Sequence, residues 1–146
     1  MKAILILSAF LSFSAFAADE HQPSPVSGHW ILVDRICSSG VAPWDNFDLD
    51  RDSATLTYAH GKFSGHTQLG GCHYWTQSNY EINGSMVHYF NVASGSNCGQ
   101  FNQPRRFSVH FNLNEEKTQL SLFSGPFGYG GSCPAGDMME VIYQKH

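Results

Sequence analysis

What is scarce in this 146-residue sequence removes several classes of function. Charge is sparse: 8 lysines and arginines stand against 12 aspartates and glutamates, a formal net charge of -4. The basic pair Arg105-Arg106 is too little to track a phosphate backbone, so nucleic acid is not an expected partner. No Cys-x-x-Cys pair occurs, which argues against a zinc ribbon or a thioredoxin-like redox centre. No Gly-x-Ser-x-Gly elbow occurs either, and no segment shows helical periodicity over a useful length. After residue 17 there is no long apolar run, so no membrane span is expected.

Residues 1–17 have one lysine, a short apolar run and an Ala-Phe-Ala ending, the pattern of a secretory signal peptide cleaved after Ala17. Residues 18–27 are polar and contain Pro23 and Pro25, and read as a flexible leader. The remainder, 28–146, reads as one domain exported to the periplasm or beyond the cell, and monomeric. In that setting the four cysteines, Cys37, Cys72, Cys98 and Cys133, point to two disulfides rather than to a metal.

The chain is organised around residues 62–84. They hold a Gly70-Gly71-Cys72 corner, an aromatic-rich strand over 73–82 and the hairpin signal Asn83-Gly84, read as a type I′ turn. Further strands are expected at 28–37, 54–60, 63–69, 85–92, 107–113, 119–123 and 138–144. The alternation is clearest where Phe107, Val109, Phe111 and Leu113 point one way and Ser108, His110 and Asn112 the other. The expected fold is all-β: an eight-stranded antiparallel up-and-down barrel, closed or nearly so.

A meander alternates its ends. The tight connections 60–62, 83–84 and 114–117 then fall at one end, and 38–53, 70–73, 93–105 and 124–137 at the other. All four cysteines belong to the second end. Closure of the barrel brings Cys37 near Cys133, and the pairing of the fourth and fifth strands brings Cys72 near Cys98. These are the expected disulfides, one of three connectivities available to four cysteines.

Two families share features with these residues. Gly61-Lys-Phe-Ser-Gly65, then Gly71-Cys72, then Tyr80-Glu-Ile-Asn-Gly84 and Cys98 together resemble the META domain of bacterial envelope proteins (the HslJ type), over roughly residues 28–123. Gly28-His-Trp30 followed by an apolar strand resembles the Gly-x-Trp opening of calycin barrels, among them small bacterial lipocalin-like proteins. Either resemblance implies an exported barrel without a catalytic residue. The first implies a part in envelope stress or maintenance, and the second an apolar ligand or the inhibition of a partner.

The residues themselves give the same picture. Eight histidines are present, but His60, His66 and His73 do not converge, and no metal or other cofactor is expected. Asp48, Asp50 and Asp52 lack the later Gly and Glu of a calcium loop and read as a solvated turn. The loop 125–131 is glycine-rich but lacks the lysine and helix of a phosphate cradle. What stands out is the set Trp44, His73, Tyr74, Trp75, Phe101, Phe127 and Tyr129, with Arg105, all placed at the disulfide end. Rings on stapled loops bury area at low entropic cost, so this set is the expected contact surface for a ligand or partner.

Trp30, at the other end, is expected to plug the barrel. The expected function is non-enzymatic: binding a small apolar ligand or serving envelope maintenance through the looped end, or alternatively docking on or inhibiting an exported protein. A hollow barrel would favour the ligand, and a filled one the protein partner.

Overall fold

The structure is a computed structural model and describes residues 23–146. The segment read as a signal peptide and the first part of the leader, 18–22, lie outside the described residues. Eight strands follow one another: β1 (Gly28–Cys37), β2 (Ser53–Ala59), β3 (Lys62–Leu69), β4 (Cys72–Asn83), β5 (Met86–Ser96), β6 (Arg106–Leu113), β7 (Gln119–Ser124) and β8 (Met139–Lys145). Each pairs antiparallel with the next, and β8 returns to β1, so the sheet closes into an up-and-down barrel without a free edge.

Turn chemistry sets the hairpins. His60 and Gly61 both have positive φ (49° and 71°), as do Gly70 and Gly71 (56° and 84°), the backbone a type I′ turn demands. The third hairpin differs from expectation. Asn83 pairs with Met86, so the central residues are Gly84 and Ser85, and of these only Gly84 has positive φ. That is the pattern of a type II′ turn, with glycine at its first central position. β5 is also longer than expected and runs on to Ser96, because β4 supplies ladder partners as far as Tyr74.

Two bulges change which side chains face inward. One extra residue, Val33, sits in β1 between the pairs Leu32–Tyr143 and Asp34–Ile142. Trp30 and Leu32 therefore point inward before it, and Arg35 and Cys37 after it, opposite Val141 and Met139. The second bulge lies in β5 at Asn91, whose φ is 54°, between the pairs Asn79–Phe90 and Gln77–Ala93.

Aromatic rings fill the tight-turn half of the interior. Tyr58 packs on Phe63 and, edge-on, on Tyr80, with centroids 5.0 and 5.1 Å apart, and Tyr89 stacks on Phe107 at 4.6 Å. The Tyr58 and Tyr89 hydroxyls hydrogen-bond to each other in the core. Trp30 is fully buried as the expected plug; its indole N–H donates to the Val26 carbonyl at 2.8 Å, and Lys145 Nζ lies 5.4 Å from its ring. Val26 is itself fully buried, and Ser27 N–H closes a turn on Ser24. The last residues of the proline-containing leader are thus docked on the barrel, since Val26 covers the plug.

Candidate functional site

The disulfide end is built as two half-rims. Cys37–Cys133, with Cα atoms 5.7 Å apart, staples the β1–β2 connection to the β7–β8 connection. Cys72–Cys98, at 5.5 Å, staples the β3–β4 corner to the β5–β6 connection. Both are the expected pairs, because strand order brings those positions together.

In the first half-rim the two long loops are sewn together. Trp44 N–H donates to Ser132 O at 2.7 Å, and Ser38 N–H to Met138 O at 2.8 Å. The Asp137 carboxylate accepts from the Ser39 hydroxyl and N–H, and these bonds hold it below the usual carboxylate range despite partial burial. Phe127 is half-buried against Gly131, where a Cβ would come within 2.7 Å of its ring. Trp44 is left 63% exposed, and Tyr129 is fully exposed at the tip of its loop.

In the second half-rim Tyr74 points inward and meets Phe101 edge-on at 5.3 Å, so both close the mouth rather than project from it. The β5–β6 connection is held over β5 by the Ser94 hydroxyl, which contacts Phe101 O at 3.3 Å and accepts from Gln103 N–H at 2.9 Å. Trp75 has the opposite parity and lies on the outer wall against Gly95, paired across the strands with His66. His73 is also on that wall, its N–H donating to Asn97 Oδ1 at 2.7 Å. Arg105 is exposed at the start of β6. The expected surface is therefore split: Trp44 and Tyr129 project from one half-rim, Tyr74, Phe101 and Phe127 are packed, and His73 and Trp75 face sideways.

Arg35 was not among the expected residues, yet it is a charged group turned into the mouth. The Val33 bulge turns it inward, where its guanidinium forms a two-point ion pair with Asp45 of the β1–β2 loop. It lies 4.9 Å from the Phe47 ring centroid and 3.6 Å from Met139 Sδ. Burial works against the Asp45 carboxylate, but bonds from Arg35, the Phe47 N–H and Ser132, together with the arginine charge, hold its pKa below the usual range. Tyr143 shows the opposite balance: burial pushes its phenol up to about 12, although the Arg35 charge pulls the other way. The signal for Arg35 was present in the sequence. Trp30 and Leu32 share one parity and Cys37 has the other, so a strand that buries all three needs one extra residue.

The acidic run reads differently in three dimensions. Asp52 is 7% exposed, not solvated, and its carboxylate accepts from Gly70 N–H and Asp48 N–H. Those bonds hold its pKa below the usual range and tie the β1–β2 loop to the β3–β4 corner. Among the described residues no group of three or more His, Cys, Asp or Glu side chains is placed to hold a metal ion. His88 and His110 both lie on the outer wall, and His88 is bonded to Ser108 at 2.7 Å.

The larger clefts are open surface grooves. One of about 670 Å³ lies at the tight-turn end, lined by Pro25, Tyr58, Tyr80 and Lys145 among others, one of about 610 Å³ lies at the disulfide end by Asp45, Arg51 and Gly70, and one of about 480 Å³ runs along β5 and β6 by His88 and Arg106. No helix among the described residues is long and apolar enough to cross a membrane. Fold and site together define a closed, disulfide-stapled eight-stranded barrel with a ringed mouth. Comparison with protein-family models, curated proteins and solved structures finds no match.

Proposed function

We propose that this is an exported, non-enzymatic binding protein, periplasmic or secreted, that docks on another exported protein through its disulfide-bearing end. The observation that carries the reading is a contrast between interior and rim. The interior is packed with Trp30, Tyr58, Tyr80, Tyr89, Tyr143 and Phe107, whereas Trp44 and Tyr129 stand exposed on loops stapled at their bases. Exposed rings on a braced loop are where interfaces concentrate binding energy, since little side-chain freedom is lost on contact. Two disulfides are consistent with an oxidising compartment. The META and lipocalin-like resemblances both imply a small exported barrel without a catalytic residue.

The test is native mass spectrometry of protein purified from its own exported compartment, combined with photo-crosslinking from positions 44 and 129. The expected result is the bare mass of a monomer, with a crosslinked protein recovered from 44 and 129 and not from position 88 on the outer wall. A non-covalent small-molecule adduct that vanishes on denaturation would overturn the reading in favour of a ligand carrier.

A further inference from the structure

The outer wall carries a second arrangement, independent of the mouth. In the β3–β4 register Gln68 faces His73 and His66 faces Trp75, so the two histidines are diagonal neighbours on one face. Their rings are parallel to within 9°, with centroids 5.4 Å apart, and His66 Nδ1 lies 3.3 Å from His73 Nε2. The other nitrogen of His66, Nε2, lies 3.0 Å from Ser64 Oγ. Both histidines are exposed to solvent. The backbone beneath them is braced by the Gly70-Gly71 turn, by Cys72–Cys98 and by the His73–Asn97 hydrogen bond.

From this geometry we infer that His66 and His73 form a two-histidine chelate for a divalent transition-metal ion of the imidazole-preferring kind, Zn²⁺ or Cu²⁺, with water filling the remaining positions. Metal–nitrogen bonds of about 2.0–2.1 Å to two nitrogens at the observed separation subtend roughly 107° at the ion, close to the tetrahedral angle. Rotation of each ring about its Cβ–Cγ bond turns both lone pairs from one another towards a common point above the sheet. Exposure leaves that rotation free. When His66 binds through Nδ1, its proton sits on Nε2 and donates to Ser64 Oγ, the outer bond that orients a ligating imidazole. A neutral pair loses no net proton in the exchange: the proton that His73 Nε2 shares with His66 Nδ1 is given to solvent while His73 Nδ1 takes one up, and the ion takes its place between the two freed nitrogens. The donors are nitrogen only, which disfavours Ca²⁺ and Mg²⁺ and suits zinc and copper.

Trp75, directly opposite His66, supplies the readout. The untagged mature protein would be titrated with Zn²⁺ by calorimetry and with Cu²⁺ by tryptophan fluorescence. The expected result is one saturable site per chain, with quenching by copper that is lost in Trp75→Phe. His66→Gln and His73→Gln should each weaken binding at least tenfold, Ser64→Ala roughly tenfold, and His88→Gln not at all. All five substitutions are at surface positions, and unchanged circular dichroism would show that the fold is kept. Absence of saturable zinc binding, or an affinity that survives both histidine substitutions, would overturn the assignment.

Discussion

Arg35 shows how much one side chain organises at the mouth. Its guanidinium sits by Phe47 and Met139, and is tolerable there because Asp45 meets it with both carboxylate oxygens. Asp45 is itself exposed and water can replace part of what it gives Arg35, so Asp45→Ala should cost about 1 kcal/mol in a urea-unfolding experiment. It should also detach the β1–β2 loop, seen as faster proteolysis near Trp44. Asp45, Asp52 and Asp137 all have folded-state pKa values below their usual range. A carboxyl group with a depressed folded pKa stabilises the fold above its unfolded value, near 3.9, and loses that contribution as pH falls through the folded value. Urea midpoints should therefore fall on acidification below about pH 4, and Asp52→Asn should flatten that acid limb.

In β5 one close approach leaves no room for a larger side chain. Gly95 faces the Trp75 indole, and a Cβ there would lie 2.7 Å from the ring. Gly95→Ala must displace Trp75, with an overpacking cost of about 1–3 kcal/mol and a shifted tryptophan emission spectrum. The two disulfides differ in reach: Cys72–Cys98 closes 26 residues, and Cys37–Cys133 closes 96. In the loop-entropy account these correspond to stabilisations of somewhat over 3 and about 4.7 kcal/mol. Replacing Cys72 and Cys98 by Ser should loosen the segments 70–75 and 97–105 to proteases while the barrel survives. Replacing Cys37 and Cys133 should lower the melting temperature more, because that bridge is buried and ties the closing strands. Equal effects of the two replacements would contradict this ranking.

At the scale of the whole molecule, the barrel is a sheet closed around a core of tyrosines. Burial raises the pKa values of Tyr58, Tyr89 and Tyr143, opposed at Tyr89 by its bond to Tyr58 and at Tyr143 by Arg35. A raised folded pKa means a contribution to stability that is complete below the unfolded value, near 10, and is lost as pH climbs through the folded one. Stability should decline steadily above about pH 10, and the phenolate absorbance of these three buried tyrosines, as distinct from that of the exposed Tyr129, should appear in step with unfolding rather than before it. Strand order, both disulfides and the Trp30 plug were legible in the sequence, since alternation, turn glycines and the placing of the cysteines at one end are local signals that a meander turns into neighbours; full closure of β8 onto β1 was decided by the structure. The candidate site was legible only in part. Trp44 and Tyr129 project as expected, but whether Tyr74 plugs and Trp75 points sideways depends on strand parity at the rim. The sequence alone therefore determined a small barrel with its loops stapled at one end. Tertiary structure decided which side chains face the mouth: a single bulge residue, Val33, reverses the parity of everything after it in β1 and carries Arg35 inside.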